Sequence, residues 1–393
     1  MVNLIFRIIV VSAILGSGIL LLVFINYAGV KISAPTEYLI ASISNKITAI
    51  ETKYIMTKRG HSRNKELNWL GNYKNMPSTL SDPEHFLLGA YDNQATKNFK
   101  TIVALEDSLR TVFPLIHIYT SWGSKKEQRF PAAEVNDINV LGSIPLITWE
   151  PWLIDFELET LNFRVGSNLS SIALGLFDNY IDNWAIEAKA FEHPIFLRLG
   201  HEMNDPYRYP WGPQNNSPED YISAWKHVVD RFRAAGANNI LWVWSPHPAY
   251  GDFEAYYPGD EYVDWVGTTT LNYGEVASWS NWWSFSEIFD KPYKDLSKYK
   301  KPIILAEFGS VAVGGNRANW YKEALSDFPS KYPLVKSLVF FHNSQDATIT
   351  KKPLNWEIQN DPRVIQEIAK AIESWGAEEV FLNNINKTVT NLN

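Results

Sequence analysis

Residues 193–204 read HPIFLRLGHEMN, and residues 301–310 read KPIILAEFGS. In each segment a proline precedes a short apolar run, and a glutamate stands where the run gives way to small or polar residues. Uninterrupted apolar runs of about four to eight residues are typical of strands buried on both faces, as in a parallel sheet. The two segments therefore predict parallel strands that each bring a carboxylate to their carboxyl end.

Similar apolar runs occur eight times after residue 84, most of them followed by a polar loop and a helical pattern. The predicted strands are Phe86–Tyr91, Leu115–Tyr119, Ile144–Trp149, Ile195–Gly200, Ile240–Trp244, Trp265–Leu271, Ile303–Phe308 and Leu338–His342. The predicted helices are Asn98–Val112, Asn168–Phe191, Ser217–Ala235, Ala318–Phe328 and Asp361–Trp375. This alternation predicts an α/β fold, a (β/α)8 TIM barrel. A doubly wound sheet is the alternative, but no Gly-x-Gly-x-x-Gly motif follows the first strand.

The composition narrows the class of protein. The chain has 393 residues, which suits one large barrel or two domains of about 150–200 residues each. It has no cysteine, which excludes a disulfide scaffold, a zinc ribbon and a cysteine nucleophile. The net charge of −7 argues against a nucleic-acid partner. No metal-ligand spacing or phosphate-binding motif is present, so no metal and no cofactor are predicted.

Aromatic residues make up 14% of the chain, including 16 tryptophans. This abundance suggests flat apolar surfaces near water, for which sugar rings are a common ligand. Trp149 and Trp244 stand at the ends of predicted strands, so each is a candidate for stacking on a sugar. Packing between barrel and helices is the alternative for each of them.

Ile8–Asn26 reads IIVVSAILGSGILLLVFIN and carries no charge. A helix of this length can cross a hydrocarbon core of roughly 30 Å at about 1.5 Å per residue. We therefore expect a transmembrane anchor over residues 8–27, with residues 1–7 in the cytoplasm and the remainder outside it, because Arg7 precedes the apolar run. A cleaved signal peptide and a buried helix are the alternatives.

The remaining boundaries follow from changes in polarity along the chain. Residues 28–80 are polar and mixed, with a small cluster of basic side chains, and are predicted to form a solvated juxtamembrane spacer. The barrel is predicted over 81–376, and a polar C-terminal tail over 377–393.

Glu202 and Glu307 are the candidate catalytic residues on chemical grounds. They close the fourth and seventh predicted strands, whose ends lie on roughly opposite sides of a barrel. Two carboxylates about 5–5.5 Å apart are the machinery of a retaining glycosidase. The alternative for either residue is an ion-paired structural acid. Arg198, four residues before Glu202, either reaches a carboxylate at this end of the barrel or has a structural role.

Four motifs resemble glycoside hydrolase family 26, which contains β-mannanases and β-1,3-1,4-glucanases. They are HEMN at 201–204, YPWG at 209–212, DWVG at 264–267 and AEFGS at 306–310. The resemblance covers about residues 84–360 and implies a retaining hydrolase with a (β/α)8 barrel.

The resemblance also implies roles for individual residues. By position, Glu202 matches the acid/base and Glu307 the nucleophile. His201 matches a histidine that shapes the cleavage subsite. Tyr273 matches a tyrosine that hydrogen-bonds the nucleophile.

Further matches concern the substrate cleft. Trp211 and Tyr207 match the aromatic stretch that lines the cleft after the acid. Two positions depart from the family pattern. His247 stands where the family often has asparagine, and Phe341 stands where a tryptophan commonly forms the floor of the cleavage subsite. The departure at Phe341 puts the sugar preference of that subsite in doubt.

These observations predict a membrane-anchored endo-β-glycanase that acts outside the membrane. Its expected partners are a polysaccharide substrate, the membrane, and machinery for polysaccharide synthesis or export. A β-1,4-linked or mixed-linkage β-glucan is the favoured substrate, and β-mannan is the alternative. In a different class, the chain would be a non-catalytic glycan-binding barrel of an exopolysaccharide system.

Overall fold

The computed structural model describes residues 57–93, 98–123, 128–156, 168–347, 349–350 and 352–375, and also residues 13, 16–18, 50 and 52–55. The chain divides into a unit of residues 1–51 and a unit of residues 52–393. None of the helices in these described segments is long and apolar enough to cross a membrane. The predicted anchor over 8–27 lies outside the described residues except at 13 and 16–18, and the predicted tail over 377–393 lies outside them entirely.

Eight parallel strands close into a barrel, because each strand pairs with the next along the chain and β8 pairs with β1. The strands are β1 (Leu87–Asp92), β2 (Leu115–Ser121), β3 (Ile144–Glu150), β4 (Ile195–Leu199), β5 (Ile240–Trp244), β6 (Trp265–Asn272), β7 (Ile303–Ser310) and β8 (Val335–His342). This confirms the predicted (β/α)8 barrel and all eight predicted strands, and the closure excludes the doubly wound alternative.

Helices surround the barrel. They are α1 (57–66), α2 (Gly71–Asn75), α3 (Lys100–Leu109), α4 (Ala132–Val140), α5 (Ser170–Ala173), α6 (Asp178–Ala190), α7 (Pro218–Ala235), α8 (Phe285–Leu296), α9 (Arg317–Leu325), α10 (Phe328–Lys331) and α11 (362–375). Short 3-10 turns are Asn68–Leu70, Pro77–Ser81, Leu153–Asp155, Phe253–Tyr256, Asp260–Tyr262 and Ser297–Tyr299. The helix predicted over 168–191 is broken into α5 and α6, because Gly175 between them has a left-handed backbone with φ +82°.

Side chains of the strands alternate between two apolar clusters, as the period of a strand requires. The outer cluster lies between barrel and helices and includes Ile147 of β3 and Leu197 of β4. The inner cluster fills the barrel and includes Leu146 of β3 and Phe196 of β4. Toward the carboxyl ends of the strands the apolar inner residues give way to polar ones. That end of the barrel, called the mouth below, holds the candidate site.

The N-terminal segment over residues 57–81 packs against the barrel. Four of its residues belong to the inner cluster, namely Leu67, Leu70, Tyr73 and Leu80. Trp265 at the start of β6 donates from Nε1 to the backbone oxygen of Leu80 at 2.8 Å. Since β6 begins at the amino end of the barrel, the segment closes that end.

Arg63 of α1 fixes the same segment through polar contacts. Its side chain is 1% exposed and forms an ion pair with Glu106 of α3. It also donates to Ser143 Oγ at 2.6 Å. The solvated spacer predicted over 28–80 is therefore corrected from residue 57 onward. The basic cluster suggested a linker, but one of its members is a buried structural arginine.

Candidate active site

Glu307 faces the mouth because β7 departs from regular geometry just before it. Leu305 and Phe308 both belong to the outer cluster, whereas Ala306 belongs to the inner one. The pairing of β7 with β6 and with β8 shifts register at this point. A β-bulge re-aims side chains in this way. It lets Glu307 point inward beside Ala306 instead of outward.

Two donors hold one oxygen of Glu307. Arg198 Nη2 donates to Oε1 at 2.5 Å, and the Tyr119 hydroxyl donates to the same oxygen at 2.7 Å. Burial, followed by the charge of Glu307, raises the pKa of Tyr119 well above its usual value, so its hydroxyl stays a donor. From the described residues no hydrogen bond reaches Oε2. Two roles were left open for Arg198, and its contact with Glu307 at the mouth corresponds to the first of them.

A buried hydrogen-bond chain orients Arg198. Its Nε donates to Thr148 Oγ1 at 2.8 Å, and the same hydroxyl lies 2.8 Å from His117 Nε2. Because Arg198 can only donate, the Thr148 hydroxyl accepts from it, and the same hydroxyl shares a second hydrogen bond with His117 Nε2. Burial, and then the charge of Arg198, lowers the pKa of His117 well below its usual value. His117 is therefore neutral in this chain of hydrogen bonds.

Glu202 stands in an uncommon backbone conformation just after β4. Its φ is +54°, and φ at Gly200 is +50°. A left-handed backbone costs a residue with a side chain roughly 1–2 kcal/mol. The Glu202 amide donates to the backbone oxygen of Ser245, after β5, at 2.7 Å. This bond stabilises the turn and places the carboxyl at the mouth, where it is 1% exposed.

Arg208 covers the carboxyl of Glu202. Its Nη2 forms an ion pair with Glu202 Oε2, and its Nε donates to Asp205 Oδ2 at 2.9 Å. Glu202 Oε1 is buried. Burial opposes the ionised form of Glu202, but Arg208, followed by His247 and His201, outweighs it. The pKa of Glu202 is therefore held well below its usual range.

His201 begins an aromatic wall beside the acid. Its Nε2 lies 3.1 Å from the Tyr209 hydroxyl. Tyr209 stacks on Trp211 with ring centroids 4.6 Å apart, and Trp211 Nε1 donates to the His201 backbone oxygen at 2.7 Å. Trp152 meets Trp211 edge-on at 5.3 Å. The structure thus brings the predicted residues His201 and Trp211 to the site. Tyr209, which joins them, lay in the quoted YPWG motif but was not singled out.

Glu150 is a third carboxylate at the mouth and was not predicted as a site residue. It ends β3 and accepts a hydrogen bond from Trp152 Nε1 at 3.1 Å. Burial raises its pKa from 4.5 to about 7. Glu307 and Glu202 add to the rise. The position of Glu150 at a strand end was the available sequence signal.

Phe341 lies at the mouth, as expected. Its ring stacks on Tyr91 of β1 at a centroid distance of 5.1 Å and an interplanar angle of 17°. Trp356, in the loop after β8, meets Phe341 edge-on at 6.0 Å. An indole therefore lies behind the smaller phenyl ring that replaces the family tryptophan.

Tyr273 does not make the contact implied for it. The hydroxyl that donates to Glu307 is that of Tyr119, and no described hydrogen bond joins Tyr273 to Glu307. Tyr273 instead packs edge-on against Trp356 at 5.0 Å and against Trp279 at 5.6 Å. Trp279 is 51% exposed and is a candidate sugar platform that sequence reasoning missed.

Two of the predicted sugar-stacking residues lie away from the mouth. Trp149 is fully buried and stacks on Trp184 of α6 at 4.2 Å. Trp244 is also fully buried and packs against Tyr257 at 5.1 Å. Both occupy outward positions of their strands, so core packing is correct for both. Tyr207 is 79% exposed in the loop that follows Glu202, at the rim.

Three residues offer donors that could hold a cation. One donor atom each of Glu202, Asp205 and His247 lies within 4.8 Å of the others. The guanidinium of Arg208 already contacts both carboxylates. A metal ion would therefore have to displace Arg208.

The chain is similar in sequence to known glycoside hydrolases. The family model described as glycosyl hydrolase family 26 matches residues 155–346, which include both candidate glutamates. Endoglucanase H of Acetivibrio thermocellus is 35% identical over 267 residues, covering 66% of this chain and 27% of that protein. A mannan endo-1,4-beta-mannosidase of Bifidobacterium adolescentis is 28% identical over 148 residues, covering 34% of this chain and 15% of that protein.

A solved structure is similar in fold. It is the β-mannanase of Bacteroides ovatus from family 26, with a TM-score of 0.54, 19% identity, and coverage of 76% of this chain and 91% of that one. The aligned part of the chain spans only 27% of the length of endoglucanase H and 15% of the length of the mannosidase. The matched segment carries β4 to β8 and the two glutamates at the mouth. The chain belongs to glycoside hydrolase family 26, a family of retaining glycoside hydrolases.

Proposed function

We propose that this chain hydrolyses a β-linked polysaccharide within the polymer, by double displacement. The observation that carries the proposal is the pair Glu202 and Glu307, each aimed into the mouth by a local departure from regular strand geometry. A bulge turns Glu307, and a left-handed turn places Glu202. Strained or irregular backbone kept at a carboxylate is typical of functional sites.

Glu307 has the environment of a nucleophile. Arg198 and Tyr119 both bind Oε1, which leaves Oε2 to attack the anomeric carbon. As the new C–O bond forms, the bond to the leaving sugar breaks, and Glu202 gives its proton to the leaving oxygen. Glu202 then takes a proton from the water that releases the bound sugar. The hydrogen bonds from Arg198 and Tyr119 to Oε1 stabilise the Glu307 carboxylate when water displaces it from the sugar.

The favoured substrate is a β-1,4-linked or mixed-linkage β-glucan. Endoglucanase H, a relative at 35% identity, supports a glucan, although β-mannan remains the alternative because of the mannosidase relative. Neutral His201 has a buried Nδ1 with no partner among the described residues, so it is available to a sugar hydroxyl. Phe341 and Tyr91 provide an apolar surface for a pyranose ring.

The test uses residues 52–393, which form one compact unit. Release of reducing ends is measured from lichenan, carboxymethyl-cellulose, mannan and β-1,3-xylan. The compared variants are Glu307→Ala, Glu202→Ala and, as a matched control, Glu323→Ala on the exposed face of α9. We expect cleavage of a glucan, a loss of about 10⁴-fold or more in kcat for Glu307→Ala, and no loss for the control. The new reducing end, which water releases from the glycosyl-enzyme, should have the β configuration when it first forms.

Other outcomes would redirect the proposal. Cleavage of mannan alone would identify the alternative substrate. Activity that survives Glu307→Ala would overturn the mechanism. A folded wild-type fragment that binds these glycans without cleaving them would favour the non-catalytic alternative.

We also propose that residues 8–27 anchor the chain in a membrane, with the catalytic unit outside the cytoplasm. The support is the uncharged run of nineteen residues over Ile8–Asn26. A surface location would suit processing of a polymer made or held at the cell surface, in contact with synthesis or export machinery. Release of the full chain from membranes by high-salt washing would contradict this proposal, whereas release only by detergent would support it.

A further inference from the structure

Arg208 bridges two carboxylates with different parts of its guanidinium. Nε contacts Asp205 Oδ2, and Nη2 contacts Glu202 Oε2. Asp205 is itself fixed, because its Oδ1 accepts the backbone amide of Tyr207 at 2.8 Å. The two carboxylates are at most 2% exposed, whereas the Arg208 side chain is 21% exposed. The Nη end of Arg208 can therefore move toward the cleft while the Nε end keeps its partner.

This contact conflicts with the role proposed for Glu202. A general acid must carry a proton when the glycosidic bond breaks. A guanidinium in contact with the carboxyl favours the ionised form instead. The titratable and charged groups around Glu202 are Arg208, Arg198, Asp205, His201, His247, Tyr209, Tyr250, Tyr273, Glu150 and Glu307. Burial, followed by the charges of Arg198 and Arg208, lowers the pKa of His201, so His201 is neutral. Arg208 is the permanent positive charge in direct contact with the acid.

We propose that Arg208 is a displaceable partner of the acid/base: it holds Glu202 ionised in the empty site and turns away, pivoting on Asp205, when a sugar occupies the leaving-group side. Glu202 then takes up one proton from solvent and becomes the acid only in the substrate complex. The freed Nη groups of Arg208 donate to hydroxyls of the leaving sugar. This inference rests on the proposed glycanase function.

The proposal predicts a specific pH dependence. The pH profile of kcat/KM reports the free enzyme, and that of kcat reports the substrate complex. Loss of the Glu202 proton sets the basic limb of both profiles. Because Arg208 contacts Glu202 only in the free enzyme, the basic limb of kcat/KM lies at lower pH than the basic limb of kcat. KM therefore rises with pH between the two limbs, because substrate binding requires proton uptake.

The experiment compares both pH profiles in the wild type, Arg208→Gln, Arg208→Lys and a matched control, Arg231→Gln. Arg231 bridges α7 to Asp182 of α6, away from the mouth. We expect the wild-type limbs to be separated by at least about one pH unit, a tenfold change in proton affinity. Arg208→Gln should raise the kcat/KM limb until it meets the kcat limb, with little change in the latter. Arg208→Lys, which keeps the charge, should retain part of the separation, and Arg231→Gln all of it.

Coincident limbs in an active wild type would overturn the proposal, as would an equal shift of both limbs in Arg208→Gln. A merely structural role for Arg208 would lower activity at every pH without moving the separation. A wild type that cleaves no glycan would instead contradict the proposed function.

A second measurement does not depend on the folding of Arg208 variants. Calorimetry of oligosaccharide binding to Glu307→Ala, in buffers of different ionisation enthalpy, counts the protons taken up. Near neutral pH we expect close to one proton per sugar chain bound, and none in Glu202→Gln with Glu307→Ala. Binding without proton uptake in Glu307→Ala would refute the displacement.

Discussion

At the scale of single residues, Glu150 gives the clearest prediction about pH. Its pKa rises from 4.5 to about 7 on burial, so the folded protein binds this proton more tightly than the unfolded chain. Stability from this group is therefore complete below about pH 4.5 and is lost as the pH rises to about 7. Relative to the wild type, Glu150→Gln should gain stability across that window, by about 3 kcal/mol at most.

Denaturant unfolding of both proteins at several pH values between 4 and 8 measures this difference. Glu323→Gln, an exposed matched change, should show no such trend. A constant difference between wild type and Glu150→Gln at every pH would show that Glu150 keeps its ordinary proton affinity in the folded protein.

Sequence reasoning at this scale located side chains at the mouth where a residue type follows a strand end. Glu202, Glu307 and His201 were placed on that basis and by family resemblance. It failed where a contact joins two strands that are not neighbours in the barrel, as β2 and β7 are not. Tyr119, not Tyr273, donates to Glu307, and the partner of Tyr119 is 188 residues away in the chain. No local pattern encodes such a distance.

At the scale of elements, the segment over 57–81 rests on the ion pair between Arg63 and Glu106. Both side chains are 1% exposed. Removing one partner of a buried pair typically costs about 3–5 kcal/mol, because the other charge is left unpaired. Arg63→Met should therefore lower the free energy of unfolding by about that amount.

The double variant Arg63→Met with Glu106→Leu should recover most of the loss, since both charges are then removed together. Chemical denaturation of the wild type, the two single variants and the double variant completes a double-mutant cycle, which measures the interaction energy of the pair. Equal losses in Arg63→Met and in the double variant would mean that the pair contributes nothing beyond the packing of Arg63.

The same segment shows what composition alone obscures. Its basic residues suggested a solvated linker, yet Leu67, Leu70 and Tyr73 recur at intervals of three, as on one face of a helix. That spacing was the signal for a packed element. The helix break at Gly175 was signalled in a similar way, by a glycine inside a helical pattern.

At the scale of the whole molecule, the amino end of the barrel is closed by residues that precede β1. A fragment over 52–393 should unfold cooperatively, because it contains the complete unit. A fragment over 82–393 would expose the inner cluster around Trp265 and remove the partner of Glu106. We expect a lower unfolding midpoint for the shorter fragment, measured by circular dichroism, and aggregation on heating. Equal midpoints would show that the segment only covers the barrel without stabilising it.

The barrel itself could be predicted, because eight apolar runs separated by helices leave few other solutions. The direction of each side chain could not always be predicted. Trp149 and Trp244 stand at strand ends like the two candidate glutamates, but one step in a strand turns a side chain from the mouth to the helices. At Glu307 a β-bulge interrupts the alternation of side chains along β7. No residue pattern in the sequence predicts this bulge.

The stacking of Trp149 on Trp184 has an optical consequence. Two nearly parallel indoles at 4.2 Å, tilted by 20°, couple their electronic transitions when light excites either one. One ring stands on β3 and the other on α6, so the contribution of this pair to the circular dichroism is lost when that helix leaves its strand. This pair of tryptophans therefore reports the contact between β3 and α6 without an added label.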